Sequence, residues 1–352
     1  MLRLCLSLIC VALPLGPLFA AGPNWQKAAK EAGVLIAKSR RLGGEVHARK
    51  AREILEPWWD LEGVPQKIRL QRAMLLQRDH HFEEALADLN QVLVHDPKVT
   101  EAWLMKTTIL CVSGRYDEAR KSAVPLFALA TPLLAVTAGT APTSCNGSLA
   151  ESYQVLNRTV KNHPGEDQGV IYWAHTALAE MAVRMGKKMV ADEHFRTALY
   201  LDPSSPYLLK NYANFLIDAG DPSKAASLLR EWRDYFPVVW MRARKALDAD
   251  QKEMHLLMAK YEENLRSKSD EHGHSHGRDE AVYFLEIKGD VREAIHQSSA
   301  NWESQREAAD LLIFLKAAIA AGDEVGLANI RKWVAERSFE DVRVQELLKT
   351  AG

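Results

Sequence analysis

After residue 24 the apolar residues recur at the three-to-four spacing of an amphipathic helix, and short clusters of glycine, proline and polar residues punctuate them. This pattern predicts helices from Trp25 to Arg41 and from Val46 to Glu56, separated by Gly43 and Gly44. The second places Ala51, Ile54 and Leu55 on one face, so residues 24–65 read as a capping hairpin with a face to bury. Trp58 and Trp59 follow it, and packing against the next unit is the commoner use of such residues. Helical patterning resumes over residues 66–165, 172–239, 240–266 and 279–352. Residues 267–278, SKSDEHGHSHGR, hold nothing able to build a core and read as an exposed flexible loop.

A second periodicity lies over the first. Ala179, Gly186, Ala191, Phe195, Ala198 and Pro203 are answered by Ala213, Gly220, Ala225, Leu229, Trp232 and Pro237, each 34 residues on. Upstream, Ala73, Leu76, Phe82, Ala85, Leu89 and Pro97 keep the same register. Thr107, Leu110, Tyr116 and Ala119 continue it, with Trp103 at the fourth position of the unit and Gly114 where the preceding turn has His80. Small residues in both helices and a closing proline at a period of 34 resemble the tetratricopeptide repeat. That resemblance implies an all-α, right-handed superhelical solenoid of antiparallel helix hairpins. Residues 172–239 are its best-matched pair, and residues 66–165 hold three units, the third degenerate and ending at Pro164. Gly289 with Ala294 and Gly322 with Ala328 mark further degenerate units, and 342–348 a terminal cap.

Between Lys121 and Glu151 no residue is charged, which raises the question of a membrane span. Pro125, Pro132, Gly139 and Pro142 interrupt the run before it reaches the ~20 apolar residues a span requires. The segment therefore reads as the second helix of one hairpin and the first of the next.

The first 21 residues read as an export signal, with Arg3 ahead of an apolar run from Leu4 to Leu13 and small residues at Ala20 and Ala21. The expected location is exported, either periplasmic or secreted. Removing the signal takes Cys5 and Cys10 and leaves Cys111 and Cys145, which read as small buried residues rather than a disulfide framework. Asn146 and Asn157 begin glycosylation sequons.

Composition narrows the partner. A net charge of -1 provides no pull toward nucleic acid or an anionic bilayer, so membrane contact is expected only through an envelope partner. The chain holds none of the HExxH, GxSxG, P-loop, GxGxxG or CxxC motifs, and no enzymatic activity is expected.

What remains is a binding groove. By the resemblance, the first helix of each unit lines the concave surface, which assigns partner contacts to Glu101, Leu104, Thr108 and Cys111, to Trp173, Thr176, Glu180 and Val183, and to Tyr207, Lys210, Asn214 and Ile217. Asn211 joins Lys210 and Asn214 in a pattern similar to one unit of a carboxylate clamp. Such a mixed surface suits a peptide segment or another protein. The alternative function is metal handling, in which His272, His274 and His276 would hold divalent zinc, nickel or copper. The stretches WAHTALAEMAVRMG and NWESQREAAD also resemble exported bacterial proteins of this repeat class. That resemblance implies an association with membrane permeases of the hydrogenase and urease accessory type.

Overall fold

The structure is a computed structural model, which describes residues 24–61, 63–269 and 277–351. The expected signal at 1–21 and His272, His274 and His276 lie outside these residues. Among the described residues the chain is helical throughout.

The expected hairpins are present: α1 (Trp25–Ser39) with α2 (Glu45–Leu55), α3 (Gln66–Arg78) with α4 (Phe82–His95), and α5 (Thr100–Val112) with α6 (Tyr116–Ala123) and the short α7 (Leu126–Leu129). Next come α8 (Pro132–Ser144) with α9 (Leu149–Asn162), α10 (Gln168–Arg184) with α11 (Lys188–Leu201), and α12 (Pro206–Asp218) with α13 (Pro222–Leu229). Then follow α14 (Pro237–Ala246) with α15 (Gln251–Ser269), α16 (Gly277–Val282) with α17 (Val291–Ser304), α18 (Ala308–Ala321) with α19 (Glu324–Arg337), and finally α20 (Val342–Thr350). Helices of each pair pack against one another and successive hairpins stack, which makes the right-handed solenoid that the period predicts.

The small residues of the period are where the helices approach most closely. Ala73, Ala85, Ala119, Ala179, Ala191, Ala213, Ala225 and Ala294 are all 0% exposed. Around them the larger side chains interdigitate, as where Phe195 stacks on Tyr212 at 5.1 Å between ring centroids. Trp58 is buried with Leu55 and Ile68 under the first hairpin, and the Arg52 guanidinium lies 4.1 Å over the Trp59 ring. Both tryptophans therefore serve packing.

The uncharged stretch resolves into α7 and α8, and no described helix is long and apolar enough to cross a membrane. Pro132 takes the first turn of α8, where its missing N–H costs nothing. The threonines that break the apolar run satisfy themselves locally: the hydroxyls of Thr137, Thr140 and Thr143 donate to the carbonyls of Leu133, Val136 and Gly139 at 2.7–2.8 Å. Buried Leu133, Ala135 and Ala138 then let α8 seat against its neighbours.

Two local expectations are revised. The helix expected over 240–266 is broken at 247–250, because Asp248 adopts φ 51°, a left-handed conformation that aspartate tolerates. The helix expected over 279–286 widens into a π-helical turn at Tyr283–Lys288, closed by left-handed Gly289.

The solenoid does not remain open. Its last units come round to meet its third, fourth and fifth hairpins. Arg306 N–H donates to the Val112 carbonyl at 2.7 Å, and the Tyr116 hydroxyl donates to the Arg306 carbonyl at 3.2 Å. The Leu149 N–H donates to the Glu340 carboxylate at 2.7 Å. Gly114 and Gly186 carry these close approaches: a Cβ at Gly114 would stand 3.0 Å from Arg306 Cδ, and one at Gly186 3.2 Å from Val342 Cγ2. Trp302, Trp333 and Phe339 fill the seam together with Tyr116.

Candidate functional site: the lumen of the closed solenoid

Closure turns the concave groove into a cavity of about 610 Å³. Its wall is built from the inward helices α5, α8, α10, α12, α14, α16, α18 and α20. Among the expected groove residues, Cys111, Glu180, Val183, Tyr207, Lys210, Asn211 and Asn214 line it.

The others do not. Trp173 and Leu104 pack against Leu126, Ala135 and Ala138 in the core. Buried Thr176 donates its hydroxyl to the Tyr172 carbonyl at 2.9 Å, and Thr108 does the same to Leu104 at 3.0 Å. Ile217 packs on the core around Phe195 and Leu216. Glu101 is exposed, on a small pocket beside α1 and α3. Repeat position alone selects a helix face, while the curvature of the array decides which part of that face meets the lumen.

Much of the wall is ionic and internally paired. Arg242 Nη2 lies 2.8 Å from Asp218 and Nε 2.6 Å from Glu286, whose other oxygen accepts from Lys316 at 3.0 Å. Lys210 is 2.7 Å from Asp279, and Arg278 bridges Glu307 and Asp310 at the start of α18. Arg343 pairs with Asp341 at 2.6 Å. Asn214, one of the two expected clamp asparagines, accepts from Arg242 and donates to the Lys210 carbonyl at 3.0 Å. Lys210 and Asn214 are thus tied into the wall, while Asn211 lines the lumen and makes no side-chain hydrogen bond among the described residues.

In the wall, Glu180 and Tyr207 form a hydrogen-bonded pair with displaced acidities. Burial pushes the Glu180 carboxyl up to about 7, although the Tyr207 hydroxyl donating to it at 2.6 Å works the other way. Burial raises the Tyr207 hydroxyl well above its ordinary value, and the adjacent Glu180 charge adds to the effect. Among the described residues no group of three or more histidine, cysteine, aspartate or glutamate side chains is arranged to hold a metal ion.

A family model for the tetratricopeptide repeat matches residues 70–124, the segment running from α3 through α6. The chain carries tetratricopeptide repeats. Several solved structures are distantly similar over much of the chain. PilW, a widely conserved type IV pilus biogenesis factor, is 16% identical with a TM-score of 0.39, over 67% of this chain and 91% of its own. Human IFIT1, solved as a dimer with PPP-AAAA, is 13% identical with a TM-score of 0.45, over 82% of this chain and 68% of its own. A tetratricopeptide repeat protein from Parabacteroides merdae is 13% identical with a TM-score of 0.28, over 92% and 99%. No curated protein matches the sequence.

The repeat register also explains lumen residues that the groove assignment passed over. Cys145 stands 34 residues after Cys111, so the two occupy equivalent places on adjacent inward helices, a spacing readable in the sequence. Arg242, Arg278 and Arg343 come from degenerate units, where no clear register announces an inward face.

Proposed function

We propose that this tetratricopeptide repeat protein is a non-catalytic interaction scaffold that takes a short, extended peptide segment of a partner protein into its lumen. The observation that carries the reading is the half-open cavity of about 610 Å³ on the inward face of the repeats. Ligand sites commonly measure ~300–1,000 Å³. A cavity of this size suits a short peptide segment rather than a folded domain.

Chemistry points the same way. Cations and acids in the wall are largely paired with each other, so a polyanion such as nucleic acid would have to break those pairs to bind. The Asn211 amide and the Glu180–Tyr207 pair instead offer the mixed donors and acceptors a peptide backbone needs. The pattern of residues 1–21 supports an exported partner, and fractionation of the expressing cell tests that location separately.

A photocrosslinking residue at Asn211 tests the lumen, with one at Tyr200, 88% exposed on α11, as the outer-face control. The expected result is a crosslinked partner peptide from position 211 and none from 200. Crosslinks from 200 alone, on a folded protein, would reject the lumen as the binding site.

A further inference from the structure

Cys111 ends the inward face of α5 and Cys145 caps α8, so the repeat period brings the two thiols together on the lumen wall. They are not bonded; both line the cavity and both pack against the cluster of Tyr116, Trp302 and Leu311. Arg184, on α10, is fixed beside them. Its Nη1 donates to Cys145 Sγ at 3.4 Å and to the Ser144 hydroxyl at 3.2 Å. Its Nε donates to the Glu340 carbonyl at 3.1 Å, and the guanidinium lies 4.7 Å over the Phe339 ring. The Ser144 hydroxyl sits 3.8 Å from Cys145 Sγ. From the facing elements come Tyr116 on α6 and Glu307 at the start of α18.

We infer that Cys111 and Cys145 form a thiol–disulfide exchange site, in which Cys145 attacks a disulfide entering the lumen and Cys111 resolves the mixed disulfide. The Arg184 guanidinium, fixed 3.4 Å from Cys145 Sγ, assigns the roles, because a cation at the sulfur favours the thiolate. Interaction with the Cys111 thiol and with Arg184 holds Cys145 down to about 6 against its burial. The same interaction, together with burial, raises Cys111 well above the ordinary thiol value.

The Cys145 thiolate attacks one sulfur of the incoming disulfide; a mixed disulfide forms and the other half leaves as a thiolate. That thiolate takes the proton of Cys111, which then attacks Cys145 Sγ. The Cys111–Cys145 bond forms, the bond to the substrate breaks, and the second half leaves as a thiolate that water protonates. Two electrons pass from the cysteine pair to the disulfide, which becomes two thiols. The inference does not depend on the peptide occupant proposed above.

Oxidised glutathione is the probe, applied to the reduced full chain carrying Cys5→Ser and Cys10→Ser. With the pair intact, the expected product is the Cys111–Cys145 disulfide with little glutathione retained. Cys111→Ser should accumulate one glutathione, mapped to Cys145, while Cys145→Ser stays largely unmodified over the same time. Equal modification of the two variants, or an intact pair that remains reduced while Cys111→Ser is modified, would overturn the assignment. Should either variant fail to fold by circular dichroism, pulsed iodoacetamide labelling of the unsubstituted pair decides. Cys145 labelling with a midpoint near pH 6 and Cys111 labelling only at much higher pH supports the roles; indistinguishable profiles defeat them.

Discussion

A carboxyl group whose proton is held to about 7 makes Glu180 sensitive to conditions that leave most of the wall unchanged. Its folded value lies above the ordinary 4.5, so the folded chain binds the extra proton between these values. The stability this contributes is complete below pH 4.5 and is lost as pH rises through about 7. Glu180→Gln keeps an acceptor for the Tyr207 hydroxyl and removes the titration. Urea unfolding of that variant should be more stable than the parent at pH 8 by roughly 1–3 kcal/mol, with the gap closing toward pH 4.5. A gap independent of pH would show that the effect is packing. At this scale the repeat register foretold that Glu180, Tyr207, Lys210, Asn211 and Asn214 face inward, and they line the lumen. It assigned Trp173 and Leu104 to the same face, yet these are consumed by core packing against Leu126 and Ala135.

Between elements, the deciding contacts are single buried residues that join neighbouring helices. Asp310 is 0% exposed at its side chain; it receives Arg278 from α16 and Asn301 from α17 while closing the capping box of α18. Arg278→Ala strips the cation and leaves that buried carboxylate without its charge partner. The expected cost is about 3–5 kcal/mol, read by thermal or denaturant unfolding, because an uncompensated buried charge is expensive. Arg278→Ala with Asp310→Asn should recover part of this loss. A different contact ties α10 to α11: His175 and His194 share a hydrogen bond between their Nδ1 atoms at 3.0 Å, and Tyr153 from α9 holds the other nitrogen of His194 at 3.0 Å. Burial, the His175 ring and Lys161 lower His194 to about 4. The unfolded chain takes that proton first, so stability present above pH 6.5 is lost as pH falls toward about 4. His194→Asn should flatten this acid limb in unfolding experiments between those limits, and an unchanged slope would assign the limb to other groups.

For the molecule as a whole, closure is what turns a repeat array into a container. Its contacts pass through backbone without side chains at Gly114 and Gly186, where Arg306 and Val342 arrive. Both glycines also take left-handed conformations, φ 71° and 72°, which disfavour any other residue. Gly114→Val with Gly186→Val should part the seam. Small-angle scattering would then show a larger radius of gyration while circular dichroism retains the helices. An unchanged radius in a folded double variant would show that closure rests on the Trp302, Trp333 and Phe339 cluster instead.

Local rules account for the hairpins. The period of 34, the alanines where helices touch and the turn glycines are each written into contiguous residues, and short-range spacing was enough to predict the all-α solenoid. Even His80, in place of a turn glycine, obeys the same geometry at φ 61°. The lumen is a different kind of fact. It depends on the small rotation between units accumulated over the array, and on meetings such as Arg306 with Val112 and Glu340 with Leu149. Residues 190 or so apart in sequence leave no periodic trace of one another, so only the tertiary structure decided that the groove closes and which side chains it encloses.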